Sequence, residues 1–336
     1  MGRTMTGSEA GPARGDELDT LTEYLRAAKE RNGSRNLPDV IAAIALASKS
    51  IANKVRRARL AGDVIGAVGT TNVQGEEQQK LDVIANDLLI HCLRRCPHVG
   101  VLGSEEEDEV VVVRPKSAGG DYVVLFDPLD GSSNIDVAAG VGTIFSILAN
   151  DRDDEATDTA ALQPGKAQVA SGYVLYGSSV LMVLTLGHGV DMFVLDPDLG
   201  EFVLVQEGLQ IPREKKIRSV NGAYRFDFSE GYQSYLVHTE NHGYASRYIG
   251  SMVADVHRTL LKGGVFLYPP TKKAPKGKLR LMYEANPMSL LVEQAGGLAS
   301  TGDGRRILDV APGELHERTP VVLGSSAEVE KVLEFL

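Results

Sequence analysis

Seven short apolar segments follow one another between residues 110 and 205, and they constrain the fold more than any other feature of the chain. They are rich in Val, Ile, Leu and aromatic residues, and several are joined by glycines or Asp-Pro turns. They read VVVVR, YVVLF, GTIFSILA, VASGYVLYG, SSVLMVLTL, DMFVLD and EFVLV. This pattern predicts a large mixed sheet in the first part of the protein.

Helical patterns precede these strands. The segments DELDTLTEYLRAAKER and LPDVIAAIALASKSIANKVRRARL have apolar residues at helical spacing, with acids early and bases late, as the helix dipole favours. A third helix is predicted in KLDVIANDLLIHCLRR. Residues 1–16 are small, polar and glycine-rich, which predicts a disordered tail. Residues 62–79 are rich in Gly, Thr, Asn and Gln, which predicts a mobile loop.

After residue 209 the pattern changes. Helical segments such as SMVADVHRTLLKG and NPMSLLVEQAGG alternate with the strand-like GGVFLYP and KLRLMYE. This alternation indicates a second α/β half. The sequence therefore predicts an N-terminal half over 17–208 and a C-terminal half over 209–336.

Charge and composition restrict the partners. The chain of 336 residues has 35 Lys and Arg against 45 Asp and Glu, a net charge of −10. General attraction to nucleic acid or to an anionic membrane is not expected, so a polyanionic ligand must meet a local basic patch. No apolar stretch is long enough to span a bilayer, and the first residues lack the apolar core of a secretory signal. A cytoplasmic protein is expected.

Two cysteines, Cys92 and Cys96, lie in HCLRRCPHV between two histidines. A zinc site is one interpretation. Packing of one helix face at i, i+4 is the other, and it is favoured because structural zinc sites usually have a second, distant pair of ligands. Two cysteines give no disulfide framework, as in a reducing compartment.

The segment FDPLDGSSN, residues 126–134, places Asp127 and Asp130 at a corner directly after an apolar strand. A turn that precedes a helix is one interpretation, since Asp, Pro and Gly occupy typical turn positions. A metal site is the other. Pro128 cannot donate to a sheet, so the strand is expected to end there. Gly131, Ser132 and Ser133 then present N–H groups and hydroxyls at a helix start, where a phosphate can bind.

Other acids favour the metal site. Glu105 and Glu106 follow the apolar VGVLG, Asp82 lies in KLDVIAND, and Glu284 ends the strand-like KLRLMYE. Carboxylates held close together repel each other and need a cation or raised pKa values. Oxygen ligands without nearby His or Cys select Mg²⁺ or Mn²⁺ over zinc, and phosphoryl transfer commonly uses two such ions.

A basic segment, YPPTKKAPKGKLRLMYE, precedes Glu284. It is either a solvated loop or a surface that binds a phosphate-bearing ligand. Lys278 and Arg280 are two residues apart and would share one face of a strand, which suits the second interpretation. The basic residues are Lys272, Lys273, Lys276, Lys278 and Arg280.

Taken together, these segments resemble class I fructose-1,6-bisphosphatase over nearly the whole chain after the tail. The stretch DPLDGSS alone indicates only the wider superfamily of Mg²⁺-dependent sugar and inositol phosphatases. The segments that narrow the resemblance are GEEQQKLDVIAND, SEEE, GTIFSI, ALQPG, RYIGSMVADVHRTL and GGVFLYPPTKKAPKGKLRLMYEANPM. The resemblance implies a layered αβαβα fold with large mixed sheets in two halves, an allosteric-type N-terminal half that carries most metal ligands, and a C-terminal half that binds the sugar phosphate.

The resemblance also assigns roles to residues. It implies that Mg²⁺ ligands, two or more ions per site, come from Glu105, Asp127, the Leu129 carbonyl, Asp130 and Glu284. It implies that Asp82 and Glu106 orient and deprotonate the attacking water. Residues expected to contact substrate are Asp130, Gly131, Ser132, Ser133, Asn221, Tyr224, Arg247, Tyr248, Tyr268 and Lys278. Tyr224 and Tyr268 have an alternative interpretation as aromatic residues at the edge of the core.

The resemblance also implies roles for two further residues, Arg247 and Glu76. Arg247 matches an arginine that reaches a neighbouring subunit's site, which implies an oligomer, expected to be a homotetramer. Glu76 stands near the position of an aspartate in the family's mobile loop, and a closing contact with Arg280 is expected. Its register is open because Glu77 follows directly.

The implied reaction is Mg²⁺-dependent hydrolysis of fructose 1,6-bisphosphate to fructose 6-phosphate and phosphate, by in-line attack of water and without a covalent intermediate. It would serve gluconeogenesis or a Calvin-type cycle. Two alternatives stay open: a sedoheptulose-1,7-bisphosphatase or dual-specificity enzyme, and an inactive sugar-phosphate sensor.

Regulation by AMP is not expected. AMP-regulated relatives bind the nucleotide phosphate with a Thr-Gly-Glu helix start, a Lys-Tyr pair before the YVV strand and an arginine after the TIF strand. Here Asp121 and Ala149 stand at the lysine and arginine positions, and only Tyr122 matches. An anion in place of a cation repels a phosphate.

Overall fold

The computed structural model describes residues 19–32, 36–61, 67–71, 77–151 and 158–336. The helices are α1 Leu21–Asn32, α2 Leu37–Ala61, α3 Lys80–Arg95, α4 Asp158–Ala161, α5 Glu230–Asn241, α6 Met252–Lys262, α7 Asn286–Gln294 and α8 Ser326–Leu333. The first strands are β1 Ala67–Thr71, β2 Glu77–Gln79, β3 Val99–Ser104, β4 Val111–Val112, β5 Tyr122–Asp130, β6 Val141–Ala149, β7 Gln168–Tyr176, β8 Val180–Thr185, β9 Asp191–Asp196 and β10 Glu201–Gln206. The later strands are β11 Ile217–Ser219, β12 Ala245–Ser246, β13 Val265–Tyr268, β14 Leu279–Arg280, β15 Leu298–Ser300, β16 Arg318–Thr319 and β17 Val321–Gly324.

The larger sheet has eight strands in the order β10-β9-β8-β7-β6-β5-β3-β4. All seven predicted strands between residues 110 and 205 belong to it. Strands β3 and β5 run parallel, with Ser104 paired to Phe126, and the other neighbours are antiparallel. The carboxyl ends of β3 and β5 therefore lie at the same edge of the sheet, where their acidic residues meet.

Both faces of this sheet are buried. On β5, Val124 and Phe126 pack on the side of α1, α2 and α3, whereas Val123 and Leu125 pack on the opposite side. This alternation is the period of two that a strand imposes on its side chains. The predicted N-terminal helices thus form an outer layer on one face of the sheet.

A smaller sheet, in the order β12-β11-β13-β17-β15, forms the second half of the protein. Helices α6 and α7 pack between the two sheets, and α5 and α8 cover the outer face of the smaller one. On β13, Phe266 faces the middle layer while Val265 and Leu267 face α5 and α8. The layered αβαβα fold is therefore confirmed.

Some local predictions differ from the structure. Within 62–79, residues 67–71 and 77–79 form the antiparallel pair β1–β2 instead of a loop.

Cys96 is buried in the apolar cluster under α2 and α3, with Cys92 packed against that cluster, so the cysteines serve as packing residues. The predicted tail, residues 1–16, lies outside the described residues. No helix in the described part of the chain is long and apolar enough to cross a membrane.

Candidate active site

A cleft of about 330 Å³ lies where the carboxyl ends of β3 and β5 meet the start of α6 and the segment around β14. It brings together most of the residues singled out in the sequence, although they are spread over two hundred positions of the chain. These are Asp82, Glu105, Glu106, Asp127, Leu129, Asp130, Gly131, Ser132, Ser133, Tyr248, Tyr268, Lys278 and Glu284.

The corner after YVVLF is a β-bulge rather than the end of the strand. Strand β5 continues to Asp130, and two residues, Pro128 and Leu129, stand opposite the single residue Thr143 of β6. The Thr143 hydroxyl donates to the Pro128 carbonyl at 2.9 Å. The expected strand end at Pro128 was wrong because a bulge accommodates a residue without an N–H group.

The bulge orients both aspartates of the corner. The Leu129 N–H donates to Asp127 Oδ1 at 2.9 Å, which fixes that buried carboxylate. Gly131 follows with φ of 75°, and a Cβ atom there would lie 2.5 Å from Ser251 Cβ. Glycine is therefore required both by the left-handed turn and by the close approach of α6.

Asp130 is held by the start of α6. Its Oδ2 accepts from the Ser251 hydroxyl at 2.7 Å and from the Val253 N–H at 2.8 Å. Unpaired N–H groups and the positive end of the helix dipole favour an anion here. Burial still raises the pKa of Asp130, and these hydrogen bonds offset part of that effect.

Glu284 does not end a strand as predicted. Strand β14 stops at Arg280, and Leu281–Ala285 form a π-helical turn that leads into α7. This turn brings the Glu284 side chain back to the strand, where Oε2 accepts from the Arg280 N–H at 2.5 Å. The carboxylate is 6% exposed and points to the cleft.

Asp127, Asp130 and Glu284 form an acidic cluster in which one oxygen of each lies within 4.8 Å of the others. Burial first, and then the neighbouring carboxylates, raises the pKa values of Asp127 and Glu284 well above their usual range. Buried carboxylates this close are stable as anions only with a cation between them. All donors are oxygens, so the cluster fits Mg²⁺ or Mn²⁺.

Arg280 is a buried cation beside this cluster. It is 1% exposed, and its Nε lies 3.3 Å from Oε1 of Glu105. Lys278 is exposed and lines the cleft, whereas Arg280 is buried, and β14 begins only after Lys278. That the two bases share one face stays a prediction.

Asp82 approaches the cleft from α3. It is buried and accepts from the Gln79 N–H at 2.9 Å, as the acidic member of a capping box. One turn later, Asn86 accepts from the Ser104 hydroxyl at 2.7 Å, which ties α3 to the end of β3. Burial, with a further contribution from Glu106, raises the pKa of Asp82 to about 7. A carboxyl with this pKa can accept or release a proton near neutral pH.

The C-terminal half also supplies Tyr248, Tyr268 and Lys278 to the lining of the cleft. Asn221 lies within hydrogen-bonding reach of Tyr248. Tyr224 is 47% exposed outside the lining, and Arg247 is exposed beside Tyr248. Glu76 lies outside the described residues.

Six further residues line the cleft and were not predicted from the sequence. They are Gly250, Ser251, Met252, Asp255, Phe266 and Leu279. Ser251 is the N-cap of α6, and the Gly-Ser pair before the apolar run MVADV is a helix-start signal that points to it. Phe266 and Leu279 carry no signal beyond their apolar character.

Comparisons with known proteins assign this arrangement to a family. Residues 19–207 match the family model described as Fructose-1-6-bisphosphatase, N-terminal domain, and residues 211–336 match Fructose-1-6-bisphosphatase, C-terminal domain.

Individual relatives agree with these matches. A Chlorobium luteolum protein named fructose-1,6-bisphosphatase class 1 is 50% identical over 307 residues, 89% of this chain and 91% of that protein. Mouse fructose-1,6-bisphosphatase 1 is 44% identical over 324 residues, 95% of each chain. The crystal structure of Leishmania major fructose-1,6-bisphosphatase in holo form superposes with a TM-score of 0.90 at 40% identity, over 95% of this chain and 99% of that one. The chain belongs to the fructose-1,6-bisphosphatase family, whose members are phosphoric monoester hydrolases.

Proposed function

We propose that the protein hydrolyses the 1-phosphate of fructose 1,6-bisphosphate, releasing fructose 6-phosphate and phosphate, with Mg²⁺ as cofactor. One observation carries this proposal: a buried acidic cluster and the exposed base Lys278, with two tyrosines, line one cleft. Such a cleft offers a cation site for the reacting phosphate and a base for a second phosphate on the same small molecule.

Asp127, Asp130 and Glu284 would hold the metal, together with Glu105 and the Leu129 carbonyl. When bound, Mg²⁺ neutralises the charge of the transferring phosphoryl group and of the departing oxygen, which is its usual contribution to phosphoryl transfer. Mn²⁺ has the same ligand preference and is expected to substitute.

Asp82 is the side chain best suited to take a proton from the attacking water. It lies in the wall next to the acidic cluster, and its raised pKa makes it a stronger base than an exposed aspartate. Glu106 lines the same wall and would orient the water with it. Water must attack opposite the departing sugar oxygen, so these acids would act on the face of the phosphorus opposite that oxygen.

Gly131, Ser132 and Ser133 would contact the 1-phosphate, because they line the cleft directly after Asp130 and carry N–H and hydroxyl donors. Arg280, buried behind Glu105, supplies a fixed positive charge to this end. Asn221, Tyr224, Tyr248, Tyr268 and Lys278 would bind the sugar and the 6-phosphate.

Further parts of the proposal rest on the resemblance. We propose that Arg247 contacts the site of a second subunit in a homotetramer, that Glu76 approaches Arg280 when the substrate binds, and that the protein works in the cytoplasm. The division at residue 209, with most metal ligands before it and the sugar contacts after it, stays a prediction.

Phosphate release from fructose 1,6-bisphosphate and from sedoheptulose 1,7-bisphosphate, each with Mg²⁺, with Mn²⁺ and with a chelator, tests the proposal. A higher kcat/KM with the fructose substrate and no turnover in chelator are expected. Preference for the sedoheptulose substrate would reassign the specificity. Binding of both sugars without turnover in either metal would show a sensor instead of an enzyme.

A further inference from the structure

Asp255 is a buried acid of the cleft that is not among the groups needed for phosphate chemistry. It lies in the first turns of α6 and is 1% exposed. Its Oδ1 accepts from the Ser219 hydroxyl at 2.6 Å and from the Ile249 N–H at 3.0 Å, and its Oδ2 accepts from the Gly250 N–H at 2.9 Å. One carboxylate therefore binds two separate segments of chain to one helix.

Two of the sugar-contact candidates, Asn221 and Tyr248, lie next to these segments. Ser219 ends β11, two residues before Asn221, and Ile249 and Gly250 directly follow Tyr248. The hydrogen bonds of Asp255 thus fix the backbone on both sides of the place where Asn221 and Tyr248 meet.

The same helix end also holds the acidic cluster. Ser251 and Val253, at the start of α6, donate to Asp130. Asp255 is four residues after Ser251, and its own N–H donates to the Ser251 carbonyl at 3.0 Å. A single turn of helix is therefore attached to the acidic cluster through Asp130 and to the backbone beside Asn221 and Tyr248 through Asp255.

We infer that Asp255 is a positioning residue that sets where the sugar-binding groups stand relative to the acidic cluster. This inference rests on the proposed function. Asp255 acts through Tyr248 and Asn221 and does not take part in proton transfer, so its loss weakens substrate binding more than it slows hydrolysis of bound substrate.

Asp255→Asn tests this role. A carboxylate accepts on both oxygens, whereas an asparagine amide has one accepting oxygen and an NH₂ group that can only donate. In the variant, Ser219 and Ile249 can keep their acceptor, but the Gly250 N–H then faces a second donor. We expect KM to rise roughly tenfold, and the dissociation constant of fructose 6-phosphate measured by calorimetry to rise by a similar factor, while kcat stays within about threefold.

Glu328→Gln is the matched control. Glu328 is also buried and accepts from a backbone N–H, that of Lys215, and from a hydroxyl, that of Tyr244. It lies on α8, in the outer layer, and does not line the cleft. Its replacement is expected to change thermal stability but not KM. The comparison therefore separates a general loss of stability from a displacement of the sugar-binding groups.

Ser219→Ala removes one hydrogen bond to Asp255 and serves as a milder variant if Asp255→Asn does not fold. We expect a rise in KM smaller than that of Asp255→Asn, and a double variant whose effect is less than the product of the two. An unchanged KM in folded Ser219→Ala and Asp255→Asn, or a fall in kcat at unchanged KM, would overturn the inference. If the proposed function were wrong, the wild-type protein itself would not turn over fructose 1,6-bisphosphate. That result is distinguishable from a failure of the inference about Asp255.

Discussion

Replacing Asp127 by asparagine should stabilise the metal-free protein and abolish its turnover. The amide has nearly the same shape as the carboxylate, and its oxygen can still accept from the Leu129 N–H. The substitution therefore removes a charge from the acidic cluster with little change in packing. Loss of turnover follows because a proposed metal ligand is gone.

The size of the effect follows from the geometry. Two ionised carboxylates whose oxygens lie within 4.8 Å of each other repel by about 3.5 kcal/mol or more at an effective dielectric constant of about 20. The wild-type protein avoids part of this by holding protons, because burial and the neighbouring acids raise the pKa values of Asp127 and Glu284. We expect Asp127→Asn to raise the free energy of unfolding in chelator by about 1 to 3 kcal/mol at neutral pH.

The sign can be checked by pH. An acid whose pKa is raised on folding binds more protons in the folded state, so stability falls as pH rises from its ordinary range towards its folded pKa. The advantage of the variant should therefore grow as pH rises above the ordinary pKa range of a carboxyl group. Added Mg²⁺ should stabilise the wild-type protein more than the variant, because only the wild type has the complete carboxylate set.

Denaturant unfolding in EDTA measures the effect, with Glu201→Gln as a control of opposite sign. Glu201 lies on β10, far along the sheet, where burial raises its pKa but the hydrogen bonds that it accepts from Lys49 and from the Phe202 N–H outweigh this and lower the pKa. Neutralising it should destabilise the protein at neutral pH. If Asp127→Asn destabilised the chelated protein as Glu201→Gln does, the carboxylates of the cleft would not be repelling each other.

Three more predictions concern activity. Lys278→Ala should raise KM about tenfold or more with little change in kcat. The reason is that a phosphate contact made equally in the ground state and in the transition state contributes uniform binding. A lower kcat at unchanged KM would contradict this. At limiting Mg²⁺, kcat/KM should rise with pH through about 7, because Asp82 must be ionised to accept a proton. Asp82→Asn should lower kcat by about two orders of magnitude or more. A flat pH profile of the wild-type protein would exclude Asp82 as the base. AMP should not act as a cooperative, non-competitive inhibitor. The reason is that Asp121, which accepts from Asn36 at 2.8 Å, puts an anion where AMP-regulated relatives have a lysine. Titration of AMP at low substrate concentration checks this.

The sequence by itself determined most strands of the larger sheet, the long helices and the acidic character of the cleft. The strands of the larger sheet followed from runs of apolar residues, and the helices from apolar spacing, because burial of each element imposes its own period on the chain. Asp127 and Asp130 were found because two acids and a proline at the end of an apolar run are unusual in a buried strand. Acids without nearby His or Cys also indicate a hard metal ion, because carboxylate oxygens are the ligands that Mg²⁺ and Mn²⁺ prefer.

The tertiary structure alone decided how these groups meet. The pattern of apolar and polar residues did not predict that β5 bulges at Pro128 or that β14 ends at Arg280. It also did not predict the π-helical turn that carries Glu284 back to the cleft. It also did not reveal Asp255, whose hydrogen bond to Ser219 joins residues 36 positions apart, or the contact of Ser251 with Asp130 across 121 positions. Periodicity reports which face of an element is buried, whereas the partner of a buried polar atom depends on how distant elements pack, and no local pattern of the chain encodes that.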